Sequence, residues 1–465
     1  MISISDDIFK AYDIRGIVDK TLTPEIVTLL GKAIGTTAVA QGLTTFVIGR
    51  DGRLSGSDYR DALSKGITST GIDVIDVGSV PTPVLSFAIH HFKADGGVMI
   101  TGSHNPKDYN GFKITFQNGP LFGDQIQALK QLIESGHFAE GRGNYRKEDI
   151  VDHYIDAVSK DVHLKRPMTI VIDSGNGIAG RVAPDLYRKL GCEVIELFSE
   201  VDGHFPNHHP DPAKPENLQD VIYALGKTSA EIGLAFDGDG DRLGVVTKDE
   251  EIIFPDRQMM LFAKNVLQQH PGAPIIFDVK STQCLSRFIT EHGGQAVMSR
   301  TGHSYLRAKM REIQSPLAGE MSGHIFFADR WYGFDDALYA GARLLEILSQ
   351  SEDITSIFNT LPKSVSTPEL NISMTEGEPA KLVNEIISRK CHFKNTVQIS
   401  GIDGLRVDYD DGFGLVRSSN TTPVLVLRFE GHTQDAMLRI QNEFMSLLTE
   451  LMPTLSIPVT DDETT

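Results

Sequence analysis

Three aspartates alternate with glycines in Asp237-Gly238-Asp239-Gly240-Asp241, Arg242 follows, and the whole string sits directly after an apolar run at 232–236. Glycine lets the chain turn tightly, so the three carboxylates can converge on one point. Converging carboxylates repel unless a cation compensates them, and a hard divalent ion is the natural choice. The calcium EF-hand pattern does not fit, because its sixth position is Arg242 instead of Gly and its twelfth is Lys248 instead of Glu. Three carboxylates with room for a phosphate oxygen suit Mg²⁺. The plainer reading, a solvated acidic turn, is disfavoured by the strand before the loop and the arginine after it.

Three further strings carry reactive groups. Thr101-Gly102-Ser103-His104-Asn105-Pro106 places a serine on a bend bounded by Gly and Pro after an apolar run. A serine so presented can be a nucleophile. The string lacks the G-x-S-x-G pattern, and by itself it reads more readily as a turn held by capping hydrogen bonds. Gly319-Glu320-Met321-Ser322-Gly323-His324 offers a carboxylate, a hydroxyl and an imidazole that could accept from and donate to sugar hydroxyls, although a polar turn gives the same letters. Arg417-Ser418-Ser419-Asn420-Thr421-Thr422-Pro423 joins a guanidinium to hydroxyl and amide side chains, a phosphate cradle. The competing account is a Ser/Thr turn before a strand.

Two strings mimic other chemistries. Gly175-Asn176-Gly177-Ile178-Ala179-Gly180 follows a strand at 169–173, opens a helix and has Glu196 on the next strand. It matches the dinucleotide pattern G-x-G-x-x-G and would make the chain a dehydrogenase. That reading leaves the triple-Asp and Arg417 loops unexplained, so the glycines are read as serving a tight, well-packed turn. His208 and His209, with Asp211, resemble metal ligands, but adjacent residues in a Pro-rich loop point apart and no further partner stands at a recognisable spacing, so they are read as structural.

These loops need elements to position them. Short β-branched runs at 46–49, 74–77, 98–101, 169–173, 194–198, 232–236, 275–278 and 296–299 alternate with helix-like stretches at 56–70, 82–92, 180–190, 216–225 and 304–313. Such alternation builds α/β units on mostly parallel sheets. Three times, at 96–116, 231–247 and 315–328, an apolar strand enters a Gly-rich polar loop and a second apolar strand follows at once. Repeated units tend to present their variable loops on one side. The expectation is three related α/β units whose loops meet at one cleft. After Ser366-Thr367-Pro368-Glu369, which reads as a linker, strands at 370–374, 405–409, 414–417 and 424–429, a helix at 380–391 and a last helix from Thr433 suggest a smaller α+β domain, with a frayed tail DDETT.

Composition bounds the partners. The chain has 465 residues, enough for about three domains. Lys plus Arg number 44 against 62 Asp plus Glu, a formal charge of −18, which argues against nucleic acid and anionic membrane as partners. A local pocket can still reverse that field for a phosphorylated small molecule. The apolar share of 40% and the charged share of 23% suit a globular protein. No signal-like start and no bilayer-length apolar run is seen, since the most apolar helix-like stretch, 259–267, is interrupted by Lys264. Cys192, Cys284 and Cys391 are unpaired in spacing and fit reduced thiols of a cytoplasmic protein.

The four loops in this order resemble the α-D-phosphohexomutase superfamily, and are most similar to its bacterial phosphomannomutase/phosphoglucomutase branch. The likeness runs from Tyr12-Asp13-Ile14-Arg15-Gly16 to the Arg417 loop. It implies three related α/β domains with mixed sheets plus a smaller C-terminal α+β domain around a central cleft, here divided at 1–148, 149–251, 252–366 and 367–465. It implies that Ser103, beside His104, carries a phosphoryl group, with Ser103, Asp237, Asp239 and Asp241 binding Mg²⁺. Glu320 and Ser322 would hold sugar hydroxyls, and Arg417, Ser419, Asn420 and Thr421 the distal phosphate. Tyr12, Arg15, Lys113, Arg242, Lys280, Gly302, His303 and His324 match cleft positions, with Lys113, His324 and Arg15 candidates for proton transfer or its electrostatic assistance.

Glu320-Met321-Ser322 resembles the variant that accepts both glucose and mannose epimers, and Ser419-Asn420-Thr421-Thr422-Pro423 differs from the Ser-Gly-Thr-Glu form of phosphoglucosamine mutases. The implied activity is interconversion of hexose 1- and 6-phosphates through glucose or mannose 1,6-bisphosphate. Phosphoglucosamine mutase and a dehydrogenase are the alternatives. The implied partner is a small phosphosugar, with no nucleic acid and no membrane, and a monomer is expected. The linker at 366–369 further suggests a C-terminal domain that closes over the substrate.

Overall fold

The computed structural model describes residues 4–117, 119–419 and 422–453. Asn420, Thr421 and the DDETT tail lie outside the described residues. Four sheets follow one another along the chain, which is the four-part architecture expected. The first orders its strands Ile14–Ile17, Tyr109–Phe116, Gly96–Ile100, Thr45–Arg50, Asp73–Ser79 and Tyr145–Lys147, with Gly119–Pro120 paired on Tyr109–Phe116. The second runs Leu243–Thr247, Ile232–Phe236, Thr169–Asp173, Glu193–Leu197, and the third Gln295–Ser299, Pro274–Asp278, Leu317–Gly319, Ile325–Phe327.

Each of these three sheets is mixed in the same way. Central parallel strands, largely buried and apolar, are followed by one strand that turns back antiparallel; in the first sheet Ile14–Ile17 adds a further antiparallel strand beyond it. The hairpin partners are Gly96 opposite Phe116, Ile232 opposite Thr247 and Leu317 opposite Phe327. The reactive loops are therefore the turns of equivalent hairpins, at the carboxyl ends of the first strands, where open α/β sheets bind ligands.

The fourth sheet orders Val365–Ser366, Val424–Gly431, Gly412–Ser418, Leu405–Tyr409 and Gln398–Ser400, with Leu370–Ser373 also on Val424–Gly431. Helices Glu378–Ser388 and Gln434–Leu451 cover it, the latter capped by Thr433, whose hydroxyl accepts from the Ala436 N–H. The expected linker is built in: Val365 and Ser366 pair with Gly431 and Glu430, and Thr367 exchanges hydrogen bonds with Phe429.

Some helices differ from expectation. The stretch at 180–190 is a 3₁₀ turn, Ile178–Arg181, followed by helix Ala183–Lys189, which Pro184 starts afresh. The stretch at 216–225 likewise opens as 3₁₀ Pro215–Leu218 before helix Gln219–Lys227. The helix expected at 380–391 ends at Ser388, and Lys390–His392 form a 3₁₀ turn.

One large apolar core runs through the first three units, joining Val84 and Leu85 to Tyr154, Leu186 and Leu338. The first unit has a second core and the fourth a separate one. Among the described residues, no helix is long and apolar enough to cross a membrane.

Candidate active site

Ser103 is 1% exposed and holds a left-handed φ of 49°. Its hydroxyl donates to Asp237 Oδ2 at 2.9 Å and lies 3.1 Å from His104 Nδ1. Arg53 fixes the loop: its guanidinium donates to the carbonyls of Ser103 and Asn105 at 2.8 and 2.6 Å, and of Pro106 and Tyr109 at 2.6 and 2.8 Å. Asp51 accepts from Thr101 Oγ1, the Gly102 N–H and the Arg53 N–H.

Asp237, Asp239 and Asp241 are fully buried, and their carboxylate oxygens lie within 4.8 Å of one another. Asp239 Oδ1 has no hydrogen-bond partner among the described residues. Burial, then the charges of Asp241 and Asp239, drives Asp237 well above the usual carboxylate range. Lys113 donates to Asp239 Oδ2 at 2.7 Å and also to Asp241. Burial disfavours its ammonium, but these two carboxylates overcome that and raise its pKa. An all-oxygen cluster with a spare buried oxygen and unresolved repulsion fits a hard metal ion.

The serine and acid loops touch through backbone. A Cβ at Gly238 would meet the Ser103 carbonyl at 2.4 Å. Thr82 Oγ1 donates to Asp239 Oδ2 at 2.5 Å. The acid loop also joins the third unit, since the Leu243 N–H donates to the Gly323 carbonyl at 3.2 Å and Arg242 pairs with His324 as a β-bridge.

His324 connects the sugar-loop groups to the acids. Its Nδ1 lies 2.9 Å from Glu320 Oε2 and 3.1 Å from Ser322 Oγ, and its Nε2 lies 3.3 Å from Asp241 Oδ1. Burial lowers the imidazole, but Asp241 and Glu320 outweigh it and raise His324 to about 9. Glu320, against its own burial, is held at about 2 by His324 and by the Gly302 N–H that donates to it. Gly302 has φ 134°, and a Cβ there would meet Tyr305 at 2.9 Å. His303 packs edge-on against Tyr12, with ring centroids 5.2 Å apart. Burial drops His303 to about 3 and pushes the Tyr12 phenol up to about 12.

Arg15 donates to Asp13 Oδ2 at 2.6 Å and to Asn105 Oδ1. Lys280 donates to Glu369 Oε2 at 2.9 Å. Arg417 donates to Asp403 Oδ2 at 3.0 Å, and one of its buried amino groups, Nη2, has no partner among the described residues. Asp403 also accepts from the Thr301 N–H, beside Gly302. Ser419 Oγ accepts from Thr422 Oγ1 at 3.1 Å.

One cleft of about 920 Å³ gathers these groups from all four units. Tyr12, Arg15, Ser103, His104, Lys113, Arg242, Lys280, Gly302, His303, Glu320, Ser322, His324, Arg417 and Ser419 line it. The three aspartates lie buried behind Ser103 and Lys113. Asn420 and Thr421 lie outside the described residues.

Some partners were not read from the sequence. Asp51 and Arg53 follow strand Thr45–Arg50, parallel to Gly96–Ile100 with Arg50 opposite Ile100; the signal was their place after that strand. Asp335 lies 3.7 Å from His303 and clusters with Asp241 and His324. His209 and Asp211 line the cleft, whereas His208 is held by Asp173 at 3.0 Å. The glycine turn at 175–180 has a packing explanation. A Cβ at Gly177 would meet Gly238 at 3.0 Å and one at Gly180 the Ser199 carbonyl at 2.1 Å, so these glycines let the turn pack on the acid loop and its neighbour.

Four domain models match in order. They are phosphoglucomutase/phosphomannomutase alpha/beta/alpha domains I, II and III at residues 6–140, 152–250 and 254–365, and the C-terminal domain at 369–447. The chain is 55% identical to a phosphoglucomutase of Neisseria meningitidis serogroup A, over 99% of this chain and 100% of that protein. It is 50% identical to a phosphomannomutase/phosphoglucomutase of Pseudomonas aeruginosa, over 97% of each. A solved phosphoglucomutase/phosphomannomutase family protein of Burkholderia thailandensis superposes with a TM-score of 0.94 at 52% identity, covering 98% of this chain and 100% of that one. With all four domain models in sequence and such identity over nearly its full length, the chain belongs to the phosphoglucomutase/phosphomannomutase family of the α-D-phosphohexomutase superfamily.

Proposed function

We propose that this enzyme, an isomerase, interconverts the 1- and 6-phosphates of glucose and mannose, with Ser103 carrying the phosphoryl group. The supporting observation is the Ser103 hydroxyl, 2.9 Å from Asp237 at the base of a cleft built by loops of all four units. The glycine turn at 175–180, packed on the acid loop, gives a dehydrogenase no separate support, and the Ser419–Pro423 string gives none to a phosphoglucosamine mutase. We divide the chain into units 1–148, 149–251, 252–366 and 367–465, each contributing one loop.

Asp237, Asp239 and Asp241 would hold Mg²⁺ with the Ser103 phosphate, and the ion would withdraw charge from the transferring group. In the first half-reaction the phosphoserine Oγ–P bond breaks while a free sugar hydroxyl oxygen forms the new O–P bond. The sugar hydroxyl gives up its proton, Ser103 Oγ takes one up to regenerate the serine hydroxyl, and the product is a 1,6-bisphosphate. After the intermediate turns around, its other phosphate returns to Ser103.

The cations divide by what they touch. Arg15 is fixed on Asp13 and Asn105 and supplies charge. Lys113 and His324 reach the acid loop directly, so they are placed to handle the proton beside the transferring phosphate. Glu320 and Ser322 present oxygens to the sugar, and the free Arg417 amino group, with Ser419, Asn420 and Thr421, faces the task of holding the distal phosphate. Both phosphates must take that cradle in turn, so recognition is nearly symmetric about the sugar. Every loop comes from one chain, in keeping with a monomer, and the expected setting is cytoplasmic.

Replacing Ser103 with Ala should abolish turnover of glucose 1-phosphate and mannose 1-phosphate in a coupled assay while the circular dichroism spectrum stays native. Near-normal turnover by that variant overturns the mechanism.

A further inference from the structure

A second cavity, of about 740 Å³, lies away from the reactive loops. One wall is the end of helix Thr82–His91 and strand Tyr109–Phe116 of the first unit; the other is helix His303–Ile313 of the third. Its described lining contains Lys93, Arg307 and Arg311, two histidines and no carboxylate. In a chain of net charge −18 this is a local reversal of sign. None of the three cationic side chains makes a hydrogen bond or ion pair among the described residues.

Two of these cations have a plainer use. Lys93 and Arg311 stand at helix carboxyl ends, where positive charge offsets the helix dipole. Arg307 does not, since it sits in the middle of helix His303–Ile313. Arg307 is half-buried; burial holds its guanidinium below the ordinary range, the charge of Asp335 opposes that, and the neighbouring Arg311 adds to it. Lys93 also occupies a left-handed φ of 53°, a helix-end position that glycine fills at least cost.

An aromatic ledge borders the same cavity. His90 stacks on Tyr332 with ring centroids 4.7 Å apart, and Tyr332 is 47% exposed. Tyr332 in turn lies parallel to Phe334 at 6.0 Å. Three unpartnered cations match a diphosphate, a flat exposed ring pair matches a planar base, and the volume is that of a small-molecule site.

We propose that this cavity between the first and third units binds a nucleoside diphosphate, its phosphates on Lys93, Arg307 and Arg311 and its base on the Tyr332–His90 ledge. The site is separate from the catalytic cleft and does not depend on the function proposed for it. Because it is walled by two units, occupancy would bias their relative position.

The test is calorimetric titration of the full-length protein, without divalent metal, using uridine diphosphate and inorganic pyrophosphate as probes, with cavity variants separating binding there from binding in the cleft. Uridine diphosphate should bind, and pyrophosphate should bind at least about tenfold more weakly for want of the base. The Arg307→Gln/Arg311→Gln variant should weaken uridine diphosphate at least about tenfold, the effect of losing a charge-assisted contact. Lys93→Ala, at an exposed position, gives the same reading without touching helix packing, and its melting curve should be native. No uridine diphosphate binding, pyrophosphate binding as tightly as the nucleotide, or binding that all these substitutions leave intact overturns the proposal.

Discussion

At the residue scale, Ser103 keeps a left-handed backbone that costs a non-glycine residue on the order of 1–3 kcal/mol. Arg53 and Asp51 impose it, through the four carbonyls that the guanidinium holds and the three donors that the carboxylate accepts. Lysine cannot reproduce that fork. Arg53→Lys keeps the charge but leaves buried carbonyls without donors, which should cost on the order of 1–3 kcal/mol when measured by urea unfolding. Its folded fraction should turn over more slowly. Asp336 gives a pH prediction. Burial raises it from 3.8 to about 7, although Tyr339 N–H, Tyr154 and Trp331 donate to it. Between those values the unfolded carboxyl has lost its proton and the folded one has kept it, so stability falls as pH rises through that window and the penalty is constant above it. Asp336→Asn should flatten that segment of a plot of melting temperature against pH. What was legible here was whatever the chemistry packs into one short string: Ser103, the three aspartates, Glu320 with His324, and Arg417. Arg53, Asp51 and Asp335 act from other strings, across strands and units, and local spacing does not reveal them.

At the element scale, three hairpin turns of one design deliver the chemistry, and glycine sets how closely they approach. Gly238→Ala would force a methyl group against the Ser103 carbonyl, a contact of 2.4 Å. Because the atom met is backbone, the loops must move apart: a displacement of about 1 Å should lower kcat about 100-fold, and the melting temperature should fall as well, as read by steady-state kinetics and calorimetry. The strands were legible because buried parallel strands are written as largely apolar runs; Thr169–Asp173 and Ile232–Phe236 lie where those runs place them. The helix starts were less so. Pro184 starts a helix afresh after a 3₁₀ turn, and Pro215 opens a 3₁₀ turn that gives way to α-helix only at Gln219, so each apparent helix is a 3₁₀ turn and a shorter α-helix.

At the scale of the molecule, the first three units share one apolar core and the fourth is attached differently. Among the described residues, its hydrogen bonds to the rest all go to the third unit. Arg406 donates to the Val279 and Ser281 carbonyls, Arg428 to Lys280, and Glu430 accepts from Thr282. A small cluster of Val279, Phe413 and Leu415 joins the two. The fourth unit therefore pivots, if it moves, against the third, and the paired strand Val365–Ser366 moves with it. Small-angle scattering should show a smaller radius of gyration with glucose 1,6-bisphosphate than without; identical profiles would remove closure from the account.

The bond between Lys113 and the acid loop has a bearing on biogenesis. The amine belongs to the first unit and the acids to the second, some 120 residues later in the chain, as the separations of 126 and 128 between bonded partners record. During synthesis, units emerge and fold in order from the amino terminus. The cation is thus already in place on a finished sheet when the three carboxylates leave the ribosome. The most repulsive segment of the protein is born next to its counter-charge, and the order of genes' reading matches the order in which the electrostatics can be satisfied.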